Sequence, residues 1–122
     1  MNRSPRVRIL FVEDDPPIRE FIVEALREAG YDVIHACDGE EALAWCNRTA
    51  ADVLVTYVRL PGKIDGWQIA EHCRQHHPEL PVIYATGFSP VTPRPVSNSL
   101  MLQKPYHPEQ IVEAVREMTA GR

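Results

Sequence analysis

The chain has little of what several common protein classes require, and each shortage removes a class. No apolar run approaches the roughly 18 residues that a membrane-spanning helix needs, and no charged-then-apolar leader opens the chain. These absences predict a cytoplasmic protein with no membrane partner. Cysteine is sparse: Cys37, Cys46 and Cys73 are odd in number and show no C-x-x-C spacing. They read as buried or half-buried thiols of a reducing compartment, not as a disulfide framework. A basic excess is lacking too. The formal net charge is −4, so no nucleic-acid footprint is expected, and Arg3, Arg6 and Arg8 read as a solvated terminus. Internal repeats, low-complexity tracts and linkers are all missing. With 122 residues, 44% of them apolar and 25% charged, residues 1–122 fit one globular domain with one core of ordinary size.

What is present is an alternation of short apolar runs with segments of helical period, the pattern of βα units and a parallel sheet. Residues 7–12 (V-R-I-L-F-V) predict a first strand. Asp15 follows as a helix N-cap, with Pro16 at the first helical position, where a missing N–H does no harm. Ile18, Phe21, Ile22, Ala25, Leu26 and Ala29 recur at spacings of three and four, an apolar stripe that Gly30 closes. Strands are predicted at 31–36, 53–57, 81–85 and 100–102. Helices are predicted at 39–47, from the Asp65 cap to 76, and at 108–119. The whole is a flavodoxin-like, doubly wound α/β fold with five parallel strands. Its functional crevice is expected outside the carboxyl ends of the strands.

One unit breaks the pattern. Residues 87–99 contain Pro90, Pro93 and Pro95, each costing a helix interior about 3 kcal/mol and pushing its predecessor toward extended geometry. A loop is expected there in place of a fourth helix. His72 and His76 lie four apart on the third predicted helix as a candidate metal pair. No further ligand is visible in the sequence, and solvated helix histidines are the simpler reading.

The strand ends gather chemistry. Glu13-Asp14-Asp15 ends the first strand, Tyr57 the third and Thr86 the fourth, and Lys104-Pro105 follows the fifth. Carboxylate oxygens suit a hard cation such as Mg2+, while an ammonium and a hydroxyl suit phosphoryl oxygens. Taken singly, each has an ordinary explanation: Asp15 as a cap, Lys104 as a solvated lysine before a proline turn, Thr86 as a strand-end threonine. Together they outweigh it. The run Ile9-Leu10-Phe11-Val12-Glu13-Asp14-Asp15-Pro16, the loop Leu60-Pro61-Gly62 with Asp65-Gly66, and Lys104-Pro105 resemble the response-regulator receiver family, over residues 7–118. The resemblance implies Glu13 and Asp14 as an acidic metal pair and the Arg59 carbonyl as a backbone metal ligand. It also implies Thr86 as a switch hydroxyl and Lys104 as the cation that meets the phosphoryl group.

The same alignment places Tyr57, three residues before Leu60, where the family carries its phosphoaccepting aspartate. An acyl phosphate needs a carboxylate, and a phenol is a poor Mg2+ ligand. Met101 stands where the family usually has an aromatic residue that moves with the switch threonine. Tyr84-Ala85-Thr86-Gly87 and the missing helix are similar to single-domain receivers of alphaproteobacterial stress signalling named for a Phe-Ala-Thr-Gly motif. The expected function is a receiver-like module of a two-component or phosphorelay system, acting by protein–protein contact and not as an enzyme. Its expected partners are signalling proteins such as a histidine kinase or phosphotransferase, with weakened Mg2+ binding. No DNA-reading helix-turn-helix is visible. The alternatives are a working phosphoacceptor that uses another carboxylate, and a small Mg-dependent phosphotransferase.

Overall fold

The computed structural model describes residues 6–48, 50–87, 93–104 and 107–120. In chain order it runs β1 (Arg8–Val12), α1 (Pro16–Glu28), β2 (Asp32–Ala36), α2 (Gly39–Arg48), β3 (Val53–Tyr57), α3 (Gly66–His76), β4 (Val82–Thr86), β5 (Ser99–Gln103) and α4 (Pro108–Met118). All strand pairs are parallel, in the order β2-β1-β3-β4-β5. The expected five-stranded doubly wound sheet is therefore present.

The strands read as near-continuous apolar runs because both faces of the sheet are covered. Ile9, Phe11, Val53, Val55, Ile83 and Ala85 pack against Ile22, Val23 and Leu26 of α1 and Ile111 and Val115 of α4. Leu10, Val12, Leu54, Val82 and Tyr84 pack on the other face, against Ala42 of α2 and Trp67, Ile69, Ala70 and Cys73 of α3. The chain leaves β1 toward β2 and then returns to β3 on β1's other side. This reversal of direction opens a crevice beyond the ends of β1 and β3.

Helix termination follows local chemistry. Gly30 takes φ 99°, which a Cβ would disfavour. With that turn, the Gly30 N–H reaches the Arg27 carbonyl and the Tyr31 N–H the Leu26 carbonyl, a Schellman closure. Asp65 caps α3 in a reciprocal box: its carboxylate accepts from the Gln68 N–H, and the Gln68 side chain accepts from the Asp65 N–H, each at 2.9 Å. Asp15 does not behave as its sequence suggests. It occupies the N-cap position of α1 but makes no side-chain capping bond. With Pro17 at the second helical position, one of the two N–H groups a cap can satisfy does not exist.

The expected stripe on α1 also needs correction. Phe21 is 63% exposed, whereas Val23 joins the core. Positions 21 and 23 flank Ile22 by about 100° on either side, and the side turned inward is the one carrying Val23. Cys37, expected to be at least half-buried, is exposed, because it lies in the turn just past β2 with its N–H on Glu41. Met101, on β5, is 42% exposed.

Residues 93–98, between β4 and β5, contain no helix, and residues 88–92 (including Pro90) lie outside the described residues. Side chains from elsewhere hold the described part. Arg74 of α3 donates to the carbonyls of Leu80 (2.6 Å), Ser97 (2.6 Å) and Asn98 (3.0 Å). Arg94 makes a two-oxygen contact with Glu71, and the buried Tyr84 hydroxyl accepts from the Val96 N–H at 3.0 Å. Arg74→Ala removes three charge-assisted bonds and is expected to cost about 2–3 kcal/mol. Denaturant unfolding measures that loss. Faster amide exchange at Val96 accompanies it, and unchanged exchange there counts against this role for Arg74.

Candidate functional site

The site is built from backbone that the fold has already fixed. Parallel pairing brings the ends of β1, β3 and β4 level, with Val12 opposite Thr56 and Tyr57 opposite Ala85. The residues just beyond those ends face one another across a crevice of about 490 Å³. Glu13, Asp14, Tyr57, Arg59, Thr86 and Lys104 all line it. Every residue that the receiver resemblance implied for the site is thus in one place. Pro105, the partner of Lys104 in the motif, lies outside the described residues.

The carboxylates differ sharply. Asp14 is exposed, while Glu13 is 2% exposed. One Glu13 oxygen accepts the Asp15 N–H at 3.1 Å, and the other, Oε1, is buried without a hydrogen-bond partner among the described residues. Burial pushes the Glu13 pKa up, and Asp14 beside it adds to the rise. The Asp15 N–H opposes it, as does the Tyr57 side chain. A buried carboxylate with a free oxygen is what a cation would complete.

A pH dependence follows from the direction of that shift. Below about pH 4.3, the ordinary glutamate value, Glu13 is protonated in both the folded and the unfolded chain, and it has no effect on stability. As pH rises, the unfolded chain ionises first, so Glu13 subtracts stability until pH passes the raised folded value. In metal-free buffer Glu13→Gln should therefore match the parent near pH 4 and be the more stable form at pH 7. Denaturant midpoints at the two pH values test this, and an equal difference at both contradicts it.

Tyr57 is 5% exposed and belongs to the core shared with α1 and α4. Its ring meets Phe11 edge to face, centroids 6.2 Å apart at 72°. The Lys104 ammonium lies 4.4 Å from the Tyr57 ring centroid, a cation–π contact. Lys104 is positioned by its own N–H, which donates to the Thr86 carbonyl at 2.8 Å. The Thr86 hydroxyl is turned to the Gly87 carbonyl at 3.0 Å. Tyr57 and Lys104 also line the apolar groove of Pro17, Ile18, Phe21 and Pro108, so the phenol forms a wall between groove and crevice. The ring face thus engages the lysine.

Sequence reasoning missed Arg19. From the first turn of α1 its guanidinium donates to the Glu13 carbonyl (2.9 Å) and more loosely to that of Asp14 (3.4 Å), fixing the acidic turn from above. His72 and His76 of α3 have ring centroids 5.1 Å apart, and among the described residues no group of three or more His, Cys, Asp or Glu is placed to hold a metal ion.

Comparison with known proteins agrees with this geometry. Residues 9–116 match the response regulator receiver domain family. The chain is 33% identical over 115 residues to the response regulator receiver protein CpdR of Brucella abortus, covering 91% of this chain and 95% of that protein. A receiver protein from Sinorhizobium medicae superposes with a TM-score of 0.88 at 28% identity, covering 93% of this chain and 94% of that one. The response regulator TrrA of Thermotoga maritima, solved in complex with Mg2+-BeF, gives 0.80 at 30% identity over 91% and 97% of the two chains. Transcriptional regulators also match, and this chain spans about half their length or less. On sheet order, the crevice at its switch point and these similarities together, the chain belongs to the response regulator receiver family.

Proposed function

We propose that this receiver is a two-component or phosphorelay signalling module that acts through protein contact, with Tyr57 at the position of the phosphoaccepting aspartate. The observation that carries this is the Lys104 ammonium, held 4.4 Å over the Tyr57 ring. The cation suited to a phosphoryl oxygen is spent on the aromatic face of the residue that should carry the phosphoryl group. A phenol has no carboxyl group, so it forms no acyl phosphate. Its partners would be signalling proteins of the histidine kinase or phosphotransfer type, and its role is not catalytic turnover. Incubation with a small phosphodonor and Mg2+ should leave the intact mass unchanged. A hydroxylamine-labile phosphate adduct overturns the reading, and its mapping to Asp14 would identify a substitute carboxylate.

The residues present fit Mg2+ in part. The partnerless Glu13 oxygen, the exposed Asp14 carboxylate and the Arg59 carbonyl are hard oxygen donors and would hold a hydrated ion. Bound there, Mg2+ supplies positive charge to phosphoryl oxygens. The third carboxylate expected of such a set is replaced by the Tyr57 phenol. Mg2+ affinity should therefore be weak, and Tyr57→Asp should tighten it by about tenfold or more, the effect of one added carboxylate contact. Titration followed by Trp fluorescence or amide shifts measures both. Equal affinities in the two forms would contradict this placement of Tyr57.

A further inference from the structure

Away from the crevice, two thiols meet where α2 packs on α3. Cys46, in the last turn of α2, and Cys73, on the inward face of α3, have sulfurs 2.6 Å apart across a sequence separation of 27 residues. Both are free thiols. They sit in different settings. Cys73 is buried and Cys46 is half-buried, and both line an open cavity of about 470 Å³ together with Arg48, His76 and His77. Cys46 is the more exposed residue of the pair.

We propose that Cys46 and Cys73 are a redox-modification site, at which a peroxide forms a reversible disulfide that staples α2 to α3. Cys46 sulfur attacks one oxygen of hydrogen peroxide, the O–O bond breaks, and Cys46 sulfenic acid and one water result. Cys73 sulfur then attacks the sulfenic sulfur. The S–S bond forms, the S–O bond breaks, and the departing hydroxide takes the Cys73 proton as a second water. The two thiols lose two electrons and the peroxide gains them. A dithiol reductant reverses the step by thiol–disulfide exchange.

Three features favour this order of events. The sulfurs are already in direct contact where α2 packs on α3, as formation of an S–S bond requires. Burial, with the Cys46 contact added, pushes the Cys73 pKa far up, so Cys73 stays a thiol until its neighbour is oxidised. The third cysteine is a poor competitor. Cys37 stands beside Glu41, whose carboxylate raises its pKa, and it lies before the first turn of α2 while Cys46 lies in the last. The staple lies on the α2/α3 face of the sheet, opposite the α1/α4 face into which Tyr57 packs, so its formation is independent of the phosphorylation chemistry.

Stoichiometric hydrogen peroxide on the full chain should lower the free-thiol count from three to one and the intact mass by two hydrogens. Non-reducing peptide mapping should join the Cys46 and Cys73 peptides. The closed 27-residue separation should raise the melting temperature by about 10 °C, and dithiothreitol should reverse every change. Cys37→Ser should behave as the parent. Cys46→Ser should give no cross-link and leave Cys73 unmodified. Should Cys46→Ser fail to fold, trapping of the sulfenic acid at Cys46 in the parent chain gives the same assignment. Three surviving thiols, a mass gain of oxygen on Cys46 without cross-linking, or linkage of Cys46 to Cys37 or to a second chain overturns the proposal.

Discussion

Tyr57→Asp is expected to convert a chain that takes up no phosphate into one that is phosphorylated on the introduced carboxylate in the presence of Mg2+ and a small phosphodonor. The rest of the crevice is already assembled: Glu13, Asp14, Arg59, Thr86 and Lys104 line it with Tyr57. Only the nucleophile changes, from a phenol to a carboxylate. The substitution also removes the ring on which the Lys104 ammonium rests, freeing that cation for a phosphoryl oxygen. It carries a stability penalty. A third carboxylate joins the buried Glu13 and its neighbour Asp14, and the lost ring leaves space beside Phe11. Together these should cost about 2–4 kcal/mol without metal. Mg2+ should return part of this to the variant and little to the parent, since only a bound ligand stabilises the fold. The decisive readout is intact mass with and without hydroxylamine. Equal phosphate incorporation in both forms removes Tyr57 from the phosphoacceptor position, and no incorporation in the variant shows that the surrounding residues are not competent.

How much of this was legible beforehand depended on the range of each interaction. The strands and their order of appearance followed from local apolar runs, and the Asp65 cap and Gly30 closure from residue types that act on their own backbone. The gathering of Glu13, Tyr57, Thr86 and Lys104 followed because parallel pairing aligns strand ends whatever the side chains are. What failed was everything set by rotation or by distant partners. The inward turn of Val23 in place of Phe21 is decided by how α1 rests on the sheet and on α4. The idle Asp15 side chain goes with a second proline at the helix start, which removes one of the two N–H groups a cap can satisfy. The anchoring of Ser97 and Asn98 depends on Arg74, more than twenty positions away. The contact of Lys104 with the Tyr57 ring face needed coordinates, because sequence places two residues in a crevice without saying which surfaces meet.

Gly66→Ala should be the most destabilising conservative change in the site region, and its cause is contact, not backbone freedom. A Cβ at Gly66 would run into the Tyr57 carbonyl oxygen and come within 2.9 Å of the Val58 Cα. Both obstacles are backbone, so no side-chain rotation relieves them. The Gly66 N–H also donates to the Val58 carbonyl at 2.8 Å, a bond the forced shift would stretch. A cost of about 3 kcal/mol is expected, lowering the melting temperature by roughly 10–15 °C. Gly30→Ala is the control. Its φ of 99° carries the left-handed penalty, yet an added Cβ there meets nothing within 4 Å, so about 1 kcal/mol is expected. The clash at Gly66 pushes on Tyr57 and Val58, the backbone that leads into Arg59. Added to Tyr57→Asp, Gly66→Ala should therefore slow phosphate incorporation as well as lower stability, while Gly30→Ala should lower stability alone. If the two glycine substitutions cost the same and neither alters incorporation, the close packing of α3 on the end of β3 is not what positions this site.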